Sequence, residues 1–147
     1  MRSSMDECAR EILETVPLAM RVIRSELRKH GARELSVPQF RTLNFLSLHK
    51  GASLSEVADH IGLTLPSMST LIDGLVTRNF AARRTNQEDR RRMTLELTDR
   101  GETTLRTSRD ATQEYLSQLL GSVSPEDRSR VIKSMRTLRM IFAEKAT

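Results

Sequence analysis

The spacing of apolar residues changes abruptly within residues 53–98. In the first part of this stretch they recur at helical spacing in two short segments, and Ser53 and Thr64 stand where helix N-caps are expected. At residues 93–97 apolar and polar residues alternate, which is typical of a strand with one buried face. The order predicts two helices joined by a tight turn and followed by a β-hairpin.

This order of elements is that of a winged helix-turn-helix, in which the hairpin forms the wing. The first helix is predicted to end at Gly62. The second is predicted over residues 65–78, with Asn79 at its exit, where a left-handed residue is needed. The hairpin is predicted over residues 81–97, with a polar connection at 85–89. The second helix of such a unit is expected to enter the major groove of duplex DNA.

Cationic residues are concentrated in the hairpin and just before it. They are Arg78, Arg83, Arg84, Arg90, Arg91 and Arg92. Between residues 78 and 92 the only acidic residues are Glu88 and Asp89, so six arginines against two carboxylates leave a formal charge of +4. A solvated hairpin usually mixes its charges more evenly, and the excess favours a nucleic-acid contact over an ordinary charged loop.

The composition is that of one folded, polar domain. A chain of 147 residues leaves little room for a second core, and 37% hydrophobic with 29% charged residues is ordinary for a globular protein. No apolar run approaches the ~20 residues of a membrane span, and the N-terminus lacks the apolar core of a signal peptide. The single cysteine cannot form an internal disulfide, so a cytoplasmic location is expected.

The net charge of +5 favours a polyanionic partner. The chain has four phenylalanines, one tyrosine and no tryptophan, whereas proteins that bind single strands stack the bases on such rings. Duplex DNA is therefore the favoured nucleic acid. The sequence contains no glycine-rich phosphate loop, nucleophile motif or histidine–carboxylate pair at short range. We therefore expect neither an enzyme nor a bound cofactor.

Two helices are predicted before the winged unit. The first covers residues 7–30, where Pro17 should kink or divide the helix because it removes a backbone donor. Gly31 is its predicted C-terminal cap. The second begins at a capping box formed by Ser36 and Gln39.

Two more helices are predicted after the hairpin, one capped by Thr98 and one beginning at Ser124. The terminal regions, residues 1–31 and 99–147, thus form long amphipathic helices around a small centre at residues 36–98. That centre cannot cover all their apolar faces, and an exposed stripe of this extent is a liability in a monomer. Pairing with a second copy through these helices resolves the problem, and a two-fold dimer is the commonest solution. A helical bundle closed on itself remains the alternative.

Five short motifs follow one another along the chain. They are Ser36-Val37-Pro38-Gln39-Phe40, Leu54-Ser55-Glu56-Val57-Ala58, Ser69-Thr70-Leu71-Ile72-Asp73, Asp89-Arg90-Arg91-Arg92 and Leu95-Glu96-Leu97-Thr98-Asp99-Arg100-Gly101. Their order and spacing resemble the MarR family of winged helix-turn-helix transcriptional regulators over about residues 10–145. The resemblance implies a mainly α fold with a small β-hairpin wing, a single domain over residues 1–147, and a homodimer whose interlocked terminal helices present two winged units to a palindrome.

The resemblance also implies roles for the wing residues. The family's Asp-x-Arg signature falls on Asp89 and Arg91, which implies that Arg91 enters the minor groove and that Asp89 orients the base of the hairpin. A planar guanidinium suits the negative potential of a narrow, A·T-rich minor groove. Arg90 and Arg92 would lie nearer the phosphates, with simple solvation as the alternative for both. The other arginines predicted to bind DNA are Arg78, Arg83 and Arg84.

The predicted DNA-reading helix departs from the family pattern. Family members often carry a cation at the positions that Thr70 and Gly74 occupy here. The exposed side chains of this helix are short, and those expected to face DNA are Pro66, Ser67, Ser69 and Thr70. Since hydroxyl groups discriminate poorly between bases, specificity is expected to depend more on groove shape and wing contacts than on base edges.

By the resemblance, the expected function is that of a repressor on a pseudo-palindromic operator, released by a small aromatic or phenolic effector. Such an effector would occupy a cleft between the dimer helices and the winged unit, lined by the first, second and fifth helices. One alternative is a redox-sensing regulator that uses Cys8, since one branch of the family senses peroxides through a cysteine in its first helix. The other is a helical protein that binds an acidic protein partner and no DNA.

The cysteine and the histidines give little support to redox sensing or to a metal site. Asp6 and Glu7 flank Cys8, and their charges oppose formation of the thiolate. The three histidines share no metal-ligand spacing with one another or with Cys8, and no metal site is expected. They are His30, His49 and His60.

Overall fold

The computed structural model describes residues 2–30 and 34–145. Along these ranges the elements are α1 (Arg2–Lys29), α2 (Val37–Leu48), β1 (Ala52–Ser53), α3 (Leu54–Ile61), α4 (Leu65–Thr77), β2 (Ala81–Thr85), β3 (Met93–Leu97), α5 (Asp99–Leu119), a 3-10 turn (Leu120–Ser122) and α6 (Pro125–Ala143). The chain forms two compact units, and the boundary lies within α5, between Thr112 and Gln113.

Side-chain caps fix the starts of five of the described helices. At α2 the Ser36 hydroxyl accepts a hydrogen bond from the Gln39 backbone N–H, and the Gln39 side chain accepts one from the Ser36 N–H, which completes the capping box. The hydroxyl groups of Ser53, Thr64, Thr98 and Ser124 each accept a hydrogen bond from the backbone N–H three residues on. The predicted starts of α2, α3, α4, α5 and α6 are confirmed, because local hydrogen bonds define them.

The core of the first unit lies between α2, α3, α4 and the sheet. Its most deeply buried side chains are Leu43, Leu46, Val57, Met68, Ile72, Leu75, Phe80, Ala81 and Leu95. Helical spacing predicted the inner faces of α3 and α4 correctly. On α2, the helical spacing of Phe40, Leu43 and Leu46 predicts an inner face that could extend to Leu48, but Leu48 is 68% exposed and Phe45 is buried instead. The buried face of α2 runs through residues 42, 43, 45 and 46, so Leu48 falls outside it.

The three strands form one antiparallel sheet in the order β1-β3-β2. The predicted hairpin is confirmed, with register from Ala81 opposite Leu97 to Thr85 opposite Met93. Thr85 was expected in the connection but extends β2. The edge strand β1 was not predicted, because its two residues are too few to show alternation, and it pairs Ala52 with Leu95. The mainly α fold with a small antiparallel sheet is confirmed.

The first helix continues through its proline. Pro17 removes one backbone donor, yet α1 is a single helix of 28 residues from Arg2 to Lys29. The chain is therefore not divided at Pro17, because so long a helix keeps its hydrogen bonds on both sides of the one that is lost. The predicted cap, Gly31, lies outside the described residues.

The second unit contains the end of α5, the 3-10 turn and α6. In α6 the structure buries no residue, and six large apolar side chains are exposed: Val131, Ile132, Met135, Met140, Ile141 and Phe142. None of the described helices combines the length and the apolar composition that crossing a bilayer would need.

Candidate nucleic-acid interface

The α3–turn–α4 arrangement leaves one face of α4 exposed. Gly62 ends α3 with φ of 83°, a left-handed conformation that glycine adopts without strain, and Thr64 caps α4 two residues later. Met68, Ile72 and Leu75 anchor the inner face of α4 in the core. The outer face is therefore held rigidly at the surface, where a groove of duplex DNA could receive it.

The predicted DNA-facing residues of α4 lie in its first two turns. Pro66, Ser67 and Thr70 are exposed, and Ser69 is half-buried. The Ser67 hydroxyl accepts a hydrogen bond from Thr64 Oγ1 (3.0 Å), and Thr70 Oγ1 donates to the Pro66 carbonyl (3.2 Å). The hydroxyl groups of Ser67 and Thr70 are thus oriented by local bonds and still have capacity for an outside partner.

Gly74, at the second position where relatives often carry a cation, does not lie on the open face. It is half-buried, and a Cβ placed there would contact Gln39 Nε2 of α2 at 3.4 Å. Position 74 is therefore turned partly toward α2. A long side chain placed there would have to extend past Gln39 to reach the surface.

The tip of the hairpin is shaped by a carboxylate and by backbone bonds. Asp89 Oδ1 accepts a hydrogen bond from the Arg91 backbone N–H (3.0 Å), and the Asp89 carbonyl accepts one from the Arg92 N–H (2.9 Å). Asn86 closes the loop, because its N–H donates to the Arg92 carbonyl (2.9 Å) and its side chain accepts from the Glu88 N–H (2.9 Å). Asp89 therefore holds the backbone of Arg91 and Arg92 at the tip of the wing.

The guanidinium groups of four predicted DNA-binding arginines meet carboxylates of the same chain. The pairs are Arg78–Glu34 (3.3 Å), Arg83–Asp73, Arg84–Glu96 and Arg92–Glu56 (3.4 Å). Exposed pairs of this kind add little stability, about 0–1 kcal/mol each. Their main effect here is to neutralise and orient the cations.

Arg90 and Arg91 differ from the other four. Both are exposed at the wing tip, and neither forms an ion pair with any residue in the ranges that the structure describes. The sequence shows six cations in and before the hairpin. It does not show that three of them are neutralised by carboxylates from other parts of the fold, namely Glu34, Glu56 and Asp73. The unneutralised charge of the hairpin is therefore concentrated at its tip.

Arg78 lies far from the first turn of α4. It is the C-terminal cap residue of that helix, about 18 Å from Pro66 at 1.5 Å per residue. Its guanidinium pairs with Glu34 and lies 5.3 Å from the centroid of the Phe80 ring. Arg78 therefore lies at the opposite end of α4 from Pro66 and Ser67.

The residues considered for redox or metal chemistry are dispersed. Cys8 is a free, exposed thiol on α1. His49 and His60 stack on Phe45, with ring centroids at 4.1 and 4.4 Å. Within residues 2–30 and 34–145, histidine, cysteine and carboxylate side chains form no cluster of three or more that could hold a metal ion.

In the described part of the first unit, at least two cavities border α1. The larger, of about 960 Å³, lies along α1 between Val16 and Lys29 and reaches Leu35. The smaller, of about 350 Å³, lies between α1 and α2 and is lined by Arg24, Leu27, Arg28, Val37, Phe40 and Arg41. Glu26, on the same helix, is buried, and a hydrogen bond from Lys29 Nζ (2.8 Å) lowers the pKa of its carboxyl.

Sequence comparison finds relatives of this chain. A family model described as the MarR family matches residues 34–92, from just before α2 to the wing tip. The HTH-type transcriptional repressor YetL of Bacillus subtilis (strain 168) is 30% identical over 110 residues, which are 74% of this chain. The match covers 66% of the length of YetL, slightly less than two thirds.

Structural comparison agrees with the fold. RV1404 from Mycobacterium tuberculosis superposes with a TM-score of 0.81 at 21% identity, covering 95% of each chain. A mutant of S. aureus MepR bound to an oligodeoxyribonucleotide superposes with a TM-score of 0.66 at 19% identity, covering 85% of this chain and 92% of that one. At these identities the likeness establishes the fold of the chain.

Proposed function

Because the chain belongs to the MarR family, we propose that it is a cytoplasmic, homodimeric transcriptional regulator that binds a pseudo-palindromic operator in duplex DNA. The observation that carries the proposal is the pairing of an exposed α4 face with a wing tip whose Arg90 and Arg91 have no ion-pair partner in the described chain. MepR, a structural neighbour, has been seen with an oligodeoxyribonucleotide, and YetL is named a repressor. These relatives support DNA binding and, as the direction of regulation, repression.

In the proposed complex each winged unit uses two grooves. The first turns of α4 enter the major groove, where Pro66, Ser67, Ser69 and Thr70 contact base edges and phosphates. Arg91 enters the adjacent minor groove, since a guanidinium fits its negative potential. Short hydroxyl side chains read bases weakly, so groove shape contributes much of the specificity.

In the proposed complex, the remaining arginines act on the phosphates and on the electrostatic field around the wing. Arg90 lies beside Arg91 and is free to reach a phosphate. Arg83, Arg84 and Arg92 carry carboxylate partners, so their contribution is a partly screened positive field around the wing. Arg78 lies at the far end of α4 and supports the helix exit.

Dimerisation is proposed from apolar exposure on the terminal helices. On α1, Leu13 is 75% and Leu18 is 55% exposed, and on α6 the apolar side chains from Val131 to Phe142 are similarly open. A single chain that leaves so many large apolar groups in water is a strong candidate for association, and two-fold symmetry is the commonest form. The symmetry would match the two halves of a palindrome.

The decisive experiment is binding to the DNA upstream of the chain's own gene. We expect a sequence-specific complex in a gel-shift assay, with log Kd rising linearly with log salt at about 0.9 per neutralised phosphate. An unrelated duplex of the same length and base composition is the control. Equal affinity for both duplexes, or no loss of affinity between low and moderate salt, would contradict the proposal.

For the effector we propose a small aromatic acid bound between α1 and α2. The 350 Å³ cavity there combines three apolar side chains with three arginines, a lining suited to a planar ring that carries a carboxylate. To release DNA, the ligand must bind better to a dimer whose wings are wrongly spaced, because equal affinity for both forms shifts nothing.

Salicylate and benzoate test the effector proposal. We expect either acid to bind in a calorimetric titration and to lower operator affinity, while benzyl alcohol, which has the same ring without the charge, should do neither. Arg41→Gln should weaken the binding of the acid, since it removes one cation of the lining. If neither acid binds at millimolar concentration, this assignment of the effector class is wrong.

A further inference from the structure

Arg92 and Glu56 meet where the end of the hairpin loop passes the first turn of α3. The short strand β1 pairs Ser53 with Thr94 of β3, and the Ser53 hydroxyl accepts a hydrogen bond from the Glu56 backbone N–H (3.2 Å). The first turn of α3 is therefore fixed beside the residues that begin β3. Across this gap Arg92 Nη2 donates to Glu56 Oε1 (3.4 Å).

The backbone of Arg92 is held inside the wing independently of this pair. Its N–H donates to the Asp89 carbonyl and its carbonyl accepts from the Asn86 N–H, both at 2.9 Å. The side chain of Arg92 can therefore change partner without disturbing the loop. In the proposed complex the preceding residue, Arg91, enters the minor groove, so the phosphates that border this groove come within reach of the Arg92 guanidinium.

Among the described ion pairs of the hairpin arginines, Arg92–Glu56 is the easiest to break. Its N–O separation is 3.4 Å, whereas charge-assisted hydrogen bonds are typically about 2.7–2.9 Å long. Both of its side chains are more than half exposed, while that of Arg83 is only 32% exposed. Arg84 is held more closely, at 2.5 Å from Glu96 on the neighbouring strand. A phosphate would therefore displace the partner of Arg92 before those of the other two.

We propose that Glu56 competes with the operator phosphates for Arg92 and thereby limits the affinity of the chain for DNA. In the free protein Glu56 holds the guanidinium, and in the complex a phosphate takes its place. Binding then requires the ion pair to break and brings the Glu56 carboxylate close to the DNA backbone, and both changes oppose association. The inference rests on the proposed DNA-binding function and gives Arg92 a direct contact beyond the general field of the wing.

The salt dependence of binding should carry a signature of this exchange. A phosphate that Arg92 neutralises releases a counterion from the DNA. The Glu56 carboxylate, which loses its partner at the same time, attracts a cation from solution, so the two effects nearly cancel. Without that carboxylate, the counterion would be released with no compensating uptake.

Glu56→Gln tests the competition, because it removes the charge and keeps the size of the side chain. The cap formed by Ser53 uses the backbone N–H of residue 56 and is retained. We expect Glu56→Gln to tighten operator binding about three- to tenfold at low salt, as measured by fluorescence anisotropy. The slope of log Kd against log salt should rise by about 0.9, the value for one phosphate.

Two further variants show whether the gain depends on Arg92. In an Arg92→Gln background, Glu56→Gln should change the affinity by less than about twofold, because the cation for which the carboxylate competes is absent. Glu102→Gln removes an equal charge from an exposed position in the first turn of α5. The five residues of β3, about 16 Å of strand, separate that turn from the hairpin loop, so the affinity should hardly change.

The results distinguish this inference from the function on which it rests. If the unmodified protein binds no duplex, the proposed function fails and the inference fails with it. If it binds, but Glu56→Gln neither tightens binding nor steepens the salt dependence, only the competition is overturned. A gain of equal size with and without Arg92, or an equal gain from Glu102→Gln, would indicate general charge repulsion and would likewise overturn it.

Discussion

Replacing Arg91 with alanine is expected to weaken operator binding by ~1–3 kcal/mol, or about 5- to 150-fold, without changing the fold or the dimer. The side chain of Arg91 is exposed and forms no ion pair within the described ranges, so its removal costs the free protein little. Its backbone is held by Asp89 and does not depend on the guanidinium. The loss should therefore appear only in the complex.

Fluorescence anisotropy with a labelled operator measures this loss, and two further variants interpret it. Arg109→Ala removes the same charge from an exposed position on α5 and should leave the dissociation constant almost unchanged. Arg91→Lys keeps the charge but not the planar guanidinium, and it should fall between the alanine variant and the unmodified protein. An Arg91→Ala protein with an unaltered dissociation constant would remove Arg91 from the interface.

Most of the fold could be predicted because its signals are local. Ser53 and Thr64 cap helices through bonds to residues three positions on, and Asn79 has the positive φ (62°) expected at the exit of α4. Alternation at residues 93–97 indicated the second strand of the hairpin. Each of these features depends on interactions within a few residues, which a single sequence contains.

The electrostatics of the wing could not be predicted in the same way. Arg83 is paired by Asp73 of α4, and Arg92 by Glu56 of α3, 36 residues away. A count of charges along the sequence gives the hairpin its excess but cannot show which cations are neutralised by other elements. Only the folded chain shows that Arg90 and Arg91 remain available.

The small edge strand and the role of Gly101 show the same limit. Ala52 and Ser53 pair with β3 through backbone bonds that any two residues could make. Gly101 stood in a recognisable motif, but its purpose depends on the Phe80 carbonyl, which lies 21 residues earlier. Contacts of this kind become visible only when distant segments are brought together.

Met135→Glu is expected to dissociate the proposed dimer and, with it, to abolish operator binding. Met135 lies on one side of α6 with Val131, Leu138 and Phe142, and it is 49% exposed in the single chain. A carboxylate buried in an interface without a partner costs several kcal/mol, and two-fold symmetry would introduce it twice. The association constant should therefore fall by at least roughly a thousandfold, since 1.4 kcal/mol is a factor of ten.

Met140 provides the matched control on the same helix. It is 73% exposed and lies five residues from Met135, about 140° around the helix and away from the apolar side. Met140→Glu makes the same chemical change and should leave both sedimentation and operator binding intact. Sedimentation velocity at micromolar concentration distinguishes the cases, since only Met135→Glu should run as a monomer. If both variants remain dimeric and bind the operator equally well, this side of α6 is not the dimer interface, and the apolar faces of α1 become the surface to change next.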